Sequence, residues 1–267
     1  VATVTRAPLC LAAGSLLDAD PFTFADAAAA AGFDGIGLRL SHQHALDTAG
    51  LRRLARRLNE LGLFVHDVEV HRIGAAAGDD DAGPLIDAAA LVGARFVLVV
   101  SDLADDSTGR DRTVHHLGRI VERARSAGVT VGLEYMAWTT PRCSADAVEM
   151  AAATGATVVV DVLHHTRLGE GATELRAVVA SGRLGWVQVC DAPLLAPVDL
   201  LDEARHHRLA PGEGALPLDL LLAVPDTSAV RSVEVQSDAL AARLGPFERA
   251  AALYAAARRA GHPNRTG

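Results

Sequence analysis

The 267-residue chain contains no lysine, so all 25 of its fixed basic side chains are arginines. A Schiff base needs an amine nucleophile, which a guanidinium cannot supply. Lysine-dependent aldolases and pyridoxal-phosphate enzymes are therefore excluded. Electrophilic help must come from a metal, an arginine, a histidine or backbone N–H groups. Cysteine is scarce too. Cys10, Cys143 and Cys190 have neither the spacing of a metal site nor the even count of a disulfide framework, which suits a reducing compartment. No apolar run approaches the ~20 residues of a membrane helix. No segment combines the charged start, apolar stretch and small-residue cleavage site of a secretory signal. A soluble, cytoplasmic protein with no membrane partner is expected. The net charge of −8 argues against a nucleic-acid partner, which would require a basic face.

What is present is a large apolar fraction, 50% of residues, enough to bury one sizeable core. The length fits one barrel domain of roughly 250 residues better than two ordinary domains. Gly32, Gly62, Gly93, Gly128, Gly155 and Gly182 each follow an Ala/Leu/Arg-rich helical stretch and precede a short apolar run. Those runs are Phe33–Leu38, Leu63–Val70, Ala94–Val100, Val129–Glu134, Ala156–Asp161 and Arg183–Val189. Helix, glycine and strand recur roughly every 30 residues, the size of a βαβ unit. Pro8–Ala13 and Val230–Val235 bring the strands to eight. The pattern predicts an α/β fold, a single-domain (β/α)8 TIM barrel over residues 1–261, with a loose polar tail at 262–267. An open doubly wound sheet is the alternative, but the Gly-rich nucleotide turn it usually carries is missing. Links from strand to helix are the long ones: His71–Pro84, Tyr135–Ser144 and Asp191–Pro217. In a barrel these loops form the C-terminal mouth, where active sites lie.

Strand alternation places chemistry at that mouth. In Val129-Thr-Val-Gly-Leu-Glu134 the two valines and Leu133 share one face, and Glu134 lies on the other. The same logic sets Asp161, Gln188 and Glu234 opposite the valines beside them. Four consecutive strands thus end in an oxygen-bearing side chain directed to one point. Three carboxylates gathered there would repel and be costly to desolvate. A divalent cation held by Glu134, Asp161, Gln188 and Glu234 removes that penalty. Oxygen ligands favour Mn2+ or Mg2+, with Co2+ or Zn2+ as alternatives. Taken singly, an acidic residue at a strand end more often caps a helix or pairs with an arginine.

Four segments, in this order and spacing, carry a resemblance: Val158-Val-Val-Asp-Val-Leu-His-His-Thr-Arg167, Trp186-Val-Gln-Val-Cys-Asp191, Arg208-Leu-Ala-Pro-Gly-Glu-Gly214 and Val233-Glu-Val235. Together with Phe33-Asp-Gly-Ile-Gly-Leu-Arg39, the chain resembles the xylose isomerase-like barrels. That group includes sugar epimerases, sugar-phosphate isomerases and inosose dehydratases. The resemblance implies metal binding by Glu134, Asp161 and Glu234, and Gln188 departs from the histidine usual at its position. It implies that His164, in the D-x-x-H pattern with Asp161, faces substrate or a metal-bound oxygen, a solvated loop histidine being the alternative, and that Arg208 contacts substrate. An ion pair of Arg208 with Asp191 or Glu203 is the structural alternative. Glu69 and His71 end the third strand and are candidates for substrate binding or for the surface. Tyr135 and Trp138 are candidates for a sugar-stacking wall or for packing under a loop. His165 reads as structural, and His42, His44, His115, His116, His206 and His207 as surface residues.

The leading expectation is a metal-dependent isomerase or epimerase of a keto-sugar or related polyol, with Glu134 and Glu234 exchanging the proton and His164 assisting. A lyase or dehydratase on a keto-cyclitol or 3-keto-glycoside is the alternative on the same scaffold. For xylose isomerase itself the resemblance implies a hydride shift with two metals and a lysine, which a chain without lysine fits less well. A histidine-rich nuclease fits poorly, and a non-enzymatic binding barrel is the outside alternative. The partner is a small-molecule sugar or polyol, and homo-oligomerisation is left open.

Overall fold

The computed structural model describes residues 6–40, 45–74, 81–103, 106–226 and 228–260. His42, His44 and the tail 262–267 lie outside the described residues. Eight parallel strands close into a barrel in chain order. They are β1 (Leu9–Leu11), β2 (Gly35–Arg39), β3 (Phe64–Ile73), β4 (Phe96–Ser101), β5 (Thr130–Glu134), β6 (Thr157–Asp161), β7 (Leu184–Val189) and β8 (Arg231–Val233). β1 pairs with both β2 and β8, which seals the ring. The fold is therefore the (β/α)8 barrel that the glycine repeat predicts. All six repeat glycines hold positive φ, between 69° and 98°. At Gly62 the reason is direct. Its N–H bonds back to Leu58 and Asn59 at φ 70°, a turn that a Cβ would strain.

The alternation also holds. Val158, Val160, Val187, Val189 and Val233 are buried outward, in the layer between strands and helices. The opposite face fills the barrel with Cys10, Leu98, Val159, Trp186 and Val230. Trp186 crosses that interior, its ring 5.0 Å from both His66 and Phe96. Burial pushes the His66 imidazole down to about 3, with the nearby Arg95 charge acting the same way, so it packs as a neutral ring. The crossing needs space at β5. A Cβ on Gly132 would stand 2.4 Å from the Trp186 ring.

Two details differ from the sequence reading. β3 continues past Val70 to Ile73. The segment Asp191–Pro217 contains the helix Leu200–His206 and an antiparallel bridge between Asp191 and Leu209. Asp199 caps that helix, accepting from Asp202 N at 2.9 Å. Its seven residues make two turns, too few for a helical period to stand out in the sequence. Among the described residues, no helix is long and apolar enough to cross a membrane.

Replacing Gly132 by alanine should overpack the barrel and cost about 1–3 kcal/mol, measured as a lowered denaturation midpoint. A variant as stable as wild type would show that Trp186 does not lie across β5.

Candidate active site

The ends of β5 to β8 bring four oxygen-bearing side chains to the mouth. Glu134 and Asp161 are the last residues of their strands, Gln188 is the last but one of β7, and Glu234 follows β8 directly. All four are buried, none more than 6% exposed. Asp161 pairs in register with Gln188. Its Oδ1 accepts from the N–H groups of Leu163 (2.7 Å) and His164 (3.2 Å), capping the helix Val162–Arg167. That cap carries His164 over the mouth. Ligand atoms of Glu134, Asp161 and His164 all lie within 4.8 Å of one another. His164 Nε2 is 3.8 Å from Glu134 Oε1 and 3.4 Å from Arg208 Nη2. A guanidinium only donates, so Nε2 accepts and the ring is neutral. Gln188 Oε1 is buried with no hydrogen-bond partner. Glu234 has room because residue 14 is glycine: a Cβ there would stand 2.5 Å from Glu234 Oε1.

Arg208 lines the mouth but pairs with neither Asp191 nor Glu203. Nearly inaccessible, it donates to Asp161 Oδ2 (2.6 Å), Ala204 O (2.8 Å) and Glu234 O (3.2 Å), and lies 3.5 Å from Glu234 Oε2. Glu203 is taken by Arg167, whose Nε and Nη2 donate at 2.8 and 2.7 Å. Asp191 is taken by backbone. It accepts from the N–H groups of Ala192 (2.8 Å), Gly212 (2.9 Å) and Leu216 (3.0 Å). Those two anchors shape the long mouth loop and thereby hold Arg208 in place.

The mouth opens into a cavity of about 1170 Å3. Glu69 and His71 are buried in its wall rather than on the surface. Glu69 faces Arg39 Nη2 at 3.1 Å. Sequence reasoning gave Arg39 no role, although it ends the second-strand signature. The available signal was its place two residues after Gly37, on the inward face of β2. Trp138 stands in the wall, edge-on to His164 at 5.2 Å. Tyr135 does not. It is turned away from the cavity and hydrogen-bonds His165 at 2.7 Å. His115 and His207 are exposed, while His116 and His206 are half-buried.

Charge is incompletely balanced here. Burial first, then the Glu234 and Asp161 carboxylates, push Glu134 well above the usual carboxylate range, against the pull of Arg208. Burial likewise raises Glu234 to about 7; Glu69 and Asp161 add to the rise, and Arg208 and Arg39 oppose it. Burial would raise Asp161 as well, but Arg208, His164 and the capping hydrogen bonds outweigh it and hold Asp161 low. Burial and Arg208 bring His164 down to about 4 despite Asp161. The structure therefore gathers a firmly ionised Asp161, a reluctant Glu134 and a neutral His164 within 4.8 Å of one another, while the second reluctant carboxylate, Glu234, stands beside Arg208.

Residues 25–237 match the family described as xylose isomerase-like TIM barrel. Over 229 residues the chain is 32% identical to a 3-dehydroshikimate dehydratase of Pseudomonas aeruginosa, a match that covers 80% of this chain and 36% of that protein. The chain thus spans about a third of the length of the curated relatives it matches. Among solved structures, the IOLI protein with a bound zinc atom superposes with a TM-score of 0.80 at 16% identity, covering 95% of this chain and 98% of that one. D-psicose 3-epimerase from Clostridium cellulolyticum H10 superposes with a TM-score of 0.73 at 13% identity, covering 95% and 98%. These two share the fold.

The raised Glu234 gives a signed pH dependence. Between the ordinary glutamate value and about 7, the folded metal-free protein holds a proton that the unfolded chain has lost, so stability falls as pH rises through that window. Glu234→Gln removes the effect. The variant's stability relative to wild type should improve by on the order of 2 kcal/mol between about pH 5.5 and about pH 8 in chelator-treated samples. A pH-independent difference would show that Glu234 is ionised throughout.

Proposed function

The chain belongs to the xylose isomerase-like TIM barrel family, and from that premise we propose that it is a divalent-metal-dependent lyase. It removes water from a cyclic hydroxy ketone that carries a carboxylate, of the 3-dehydroshikimate type. The observation that carries the reading is the convergence of Glu134, Asp161 and His164, in a chain 32% identical to a dehydratase. The isomerase or epimerase expected from the sequence is the second reading. Its support is structural likeness at 13% identity, which speaks for the fold alone. The cavity wall also favours an acid over a neutral sugar. Arg205 is exposed on that wall and outside every ion pair among the described residues, and a free guanidinium suits a carboxylate.

The donor set fits a divalent metal. Glu134, Asp161 and Glu234 carry three negative charges when ionised and Arg208 returns one positive charge; Glu69 and Arg39 cancel, and burial holds the nearby Asp67 carboxyl toward its neutral form. The remainder is the charge that one divalent ion neutralises. Gln188 adds an oxygen whose buried lone pairs lack a partner, a cost that coordination relieves. Glu134 and Asp161, already together in the cluster with His164, would hold the ion, with Gln188 and Glu234 outside that cluster completing the set, and oxygen donors of this kind suit Mn2+ or Mg2+. Bound there, a divalent ion supplies a Lewis acid that polarises the substrate ketone and acidifies the neighbouring C–H.

The chain's own residues then manage the proton. His164 is neutral above about 4, and its Nε2 is free of hydrogen. As substrate enters, Nε2 gives up its long contact with Arg208 Nη2, 3.4 Å, and its one lone pair takes the proton from the carbon beside the ketone. The electron pair left on carbon forms the new C=C bond as the C–O bond to the β-hydroxyl breaks. The departing hydroxide takes the proton back from Nε2 and leaves as water, so atoms and charge balance. In the free site Arg208 holds the ring in place through Nε2, Trp138 shields one side of it from solvent, and Arg205 receives the carboxylate.

Mn2+-loaded protein given 3-dehydroshikimate should form a product lighter by one water, with new aromatic absorbance. His164→Gln should lower kcat by about 10²–10⁴-fold. A product of unchanged mass carrying solvent deuterium on carbon would establish the isomerase reading in its place, and neither outcome with either substrate class would overturn both.

A further inference from the structure

Glu134 and His164 face each other at 3.8 Å. Each is followed in sequence by a buried residue outside the chemistry just described, Tyr135 and His165. Strand alternation sends Tyr135 to the side of β5 opposite Glu134. On the helix Val162–Arg167 successive side chains diverge by about 100°, so His165 also leaves the mouth. On that far side the two meet, Tyr135 Oη lying 2.7 Å from His165 Nδ1. His165 Nε2 donates to the Gly171 carbonyl at 2.9 Å, and a carbonyl only accepts, so Nε2 carries a proton. Nδ1 lies 3.0 Å from Glu170 Oε2 as well. Glu170 Oε1 in turn accepts from Ser144 N and Ser144 Oγ, both at 3.0 Å, where the helix Ser144–Thr154 begins.

We infer that Tyr135, His165 and Glu170 form a positioning relay that sets the spacing of Glu134 and His164. The two dipeptides Glu134-Tyr135 and His164-His165 stand as rails joined by two rungs. The inner rung crosses the mouth between the reacting groups, and the outer rung is the buried Tyr135–His165 contact. Two adjacent strand ends cannot spread or shear without breaking the outer rung among side chains that exclude water. The Gly171 carbonyl, accepting from Nε2, fixes the His165 ring against rotation, Glu170 closes in beside Nδ1, and Ser144 ties Glu170 to the next helix. A hydrogen-bonded partner behind an active group typically governs its orientation, and its loss costs 10–100-fold in metal affinity or activity. The inference rests on the proposed function only in treating Glu134 as a metal ligand and His164 as the proton carrier.

Tyr135→Phe removes one oxygen and leaves the ring in place. Metal-free wild type and variant are titrated with Mn2+ alone by calorimetry, and the His164 ring signals and melting temperature are recorded on the same samples. The expected result is Mn2+ affinity weakened about 10–100-fold, shifted His164 signals, and kcat lowered with KM within about twofold. The melting temperature should stay far above the assay temperature. Unchanged Mn2+ affinity together with unchanged His164 signals overturns the relay. A wild type that binds Mn2+ but dehydrates nothing defeats the proposed function, and the relay is then decided by affinity and His164 signals. A wild type that binds no Mn2+ leaves the decision to the His164 signals. If Tyr135→Phe fails to fold, Glu170→Gln is measured in the same way, with the same outcomes.

Discussion

The guanidinium of Arg208, buried against Asp161 and Glu234, permits three carboxylates to share the mouth of this barrel. Without it, their mutual repulsion and desolvation would force protons onto them or pull the strand ends apart. With it, Asp161 stays ionised while Glu134 and Glu234 remain under strain of charge. That partial compensation matters for the chemistry proposed. A site fully balanced by arginines would have no use for a cation, and one with no arginine would collapse to neutral acids. The two charges left over match one divalent ion.

Much of the surrounding structure serves to keep Arg208 where it is. Asp191 gathers three backbone N–H groups of the mouth loop. Arg167 binds Glu203 on the loop's own short helix and donates to Pro193 O at 2.8 Å. Gly214 allows the loop to close on itself, since a Cβ there would stand 2.4 Å from Asp191 Oδ1. These contacts turn a long connection, of the kind that is ordinarily mobile, into a fixed wall. On the other side of β5 and β6, the Tyr135–His165–Glu170 contacts hold the two strand ends together. The mouth is braced from both directions, as a site must be when its groups have to be held within a fraction of an ångström.

The same charge argument explains how an amide can stand at Gln188. A histidine there would also be neutral, so the count of charges does not change with the substitution. What changes is the donor, an oxygen in place of a ring nitrogen, which tilts the site toward harder cations. Gln188 points above Trp186, and the ring that fills the barrel is seated by Gly132 on the neighbouring side.

Repeat length, glycine caps and alternation of valines are local properties, so the chain spells them out. They determine eight strands and a barrel, and they place Glu134, Asp161, Gln188 and Glu234 at the ends of four strands in a row. The period of a strand fixes which face a side chain takes whatever its neighbours are. The partners of those residues are not local. Arg208 comes to Asp161 across 47 positions, Arg39 to Glu69 through the register of β2 with β3, and Tyr135 to His165 across two strand ends. Each choice depends on which side chains remain unpaired once the barrel has closed. Spacing along the sequence carries no information about that distance, so Asp191 and Glu203 stood as the ion-pair candidates for Arg208 until tertiary packing assigned them elsewhere and brought Asp161 to it. The sequence by itself thus determined the ring of strands and the donors it offers, and only the closed structure decided which charges neutralise which.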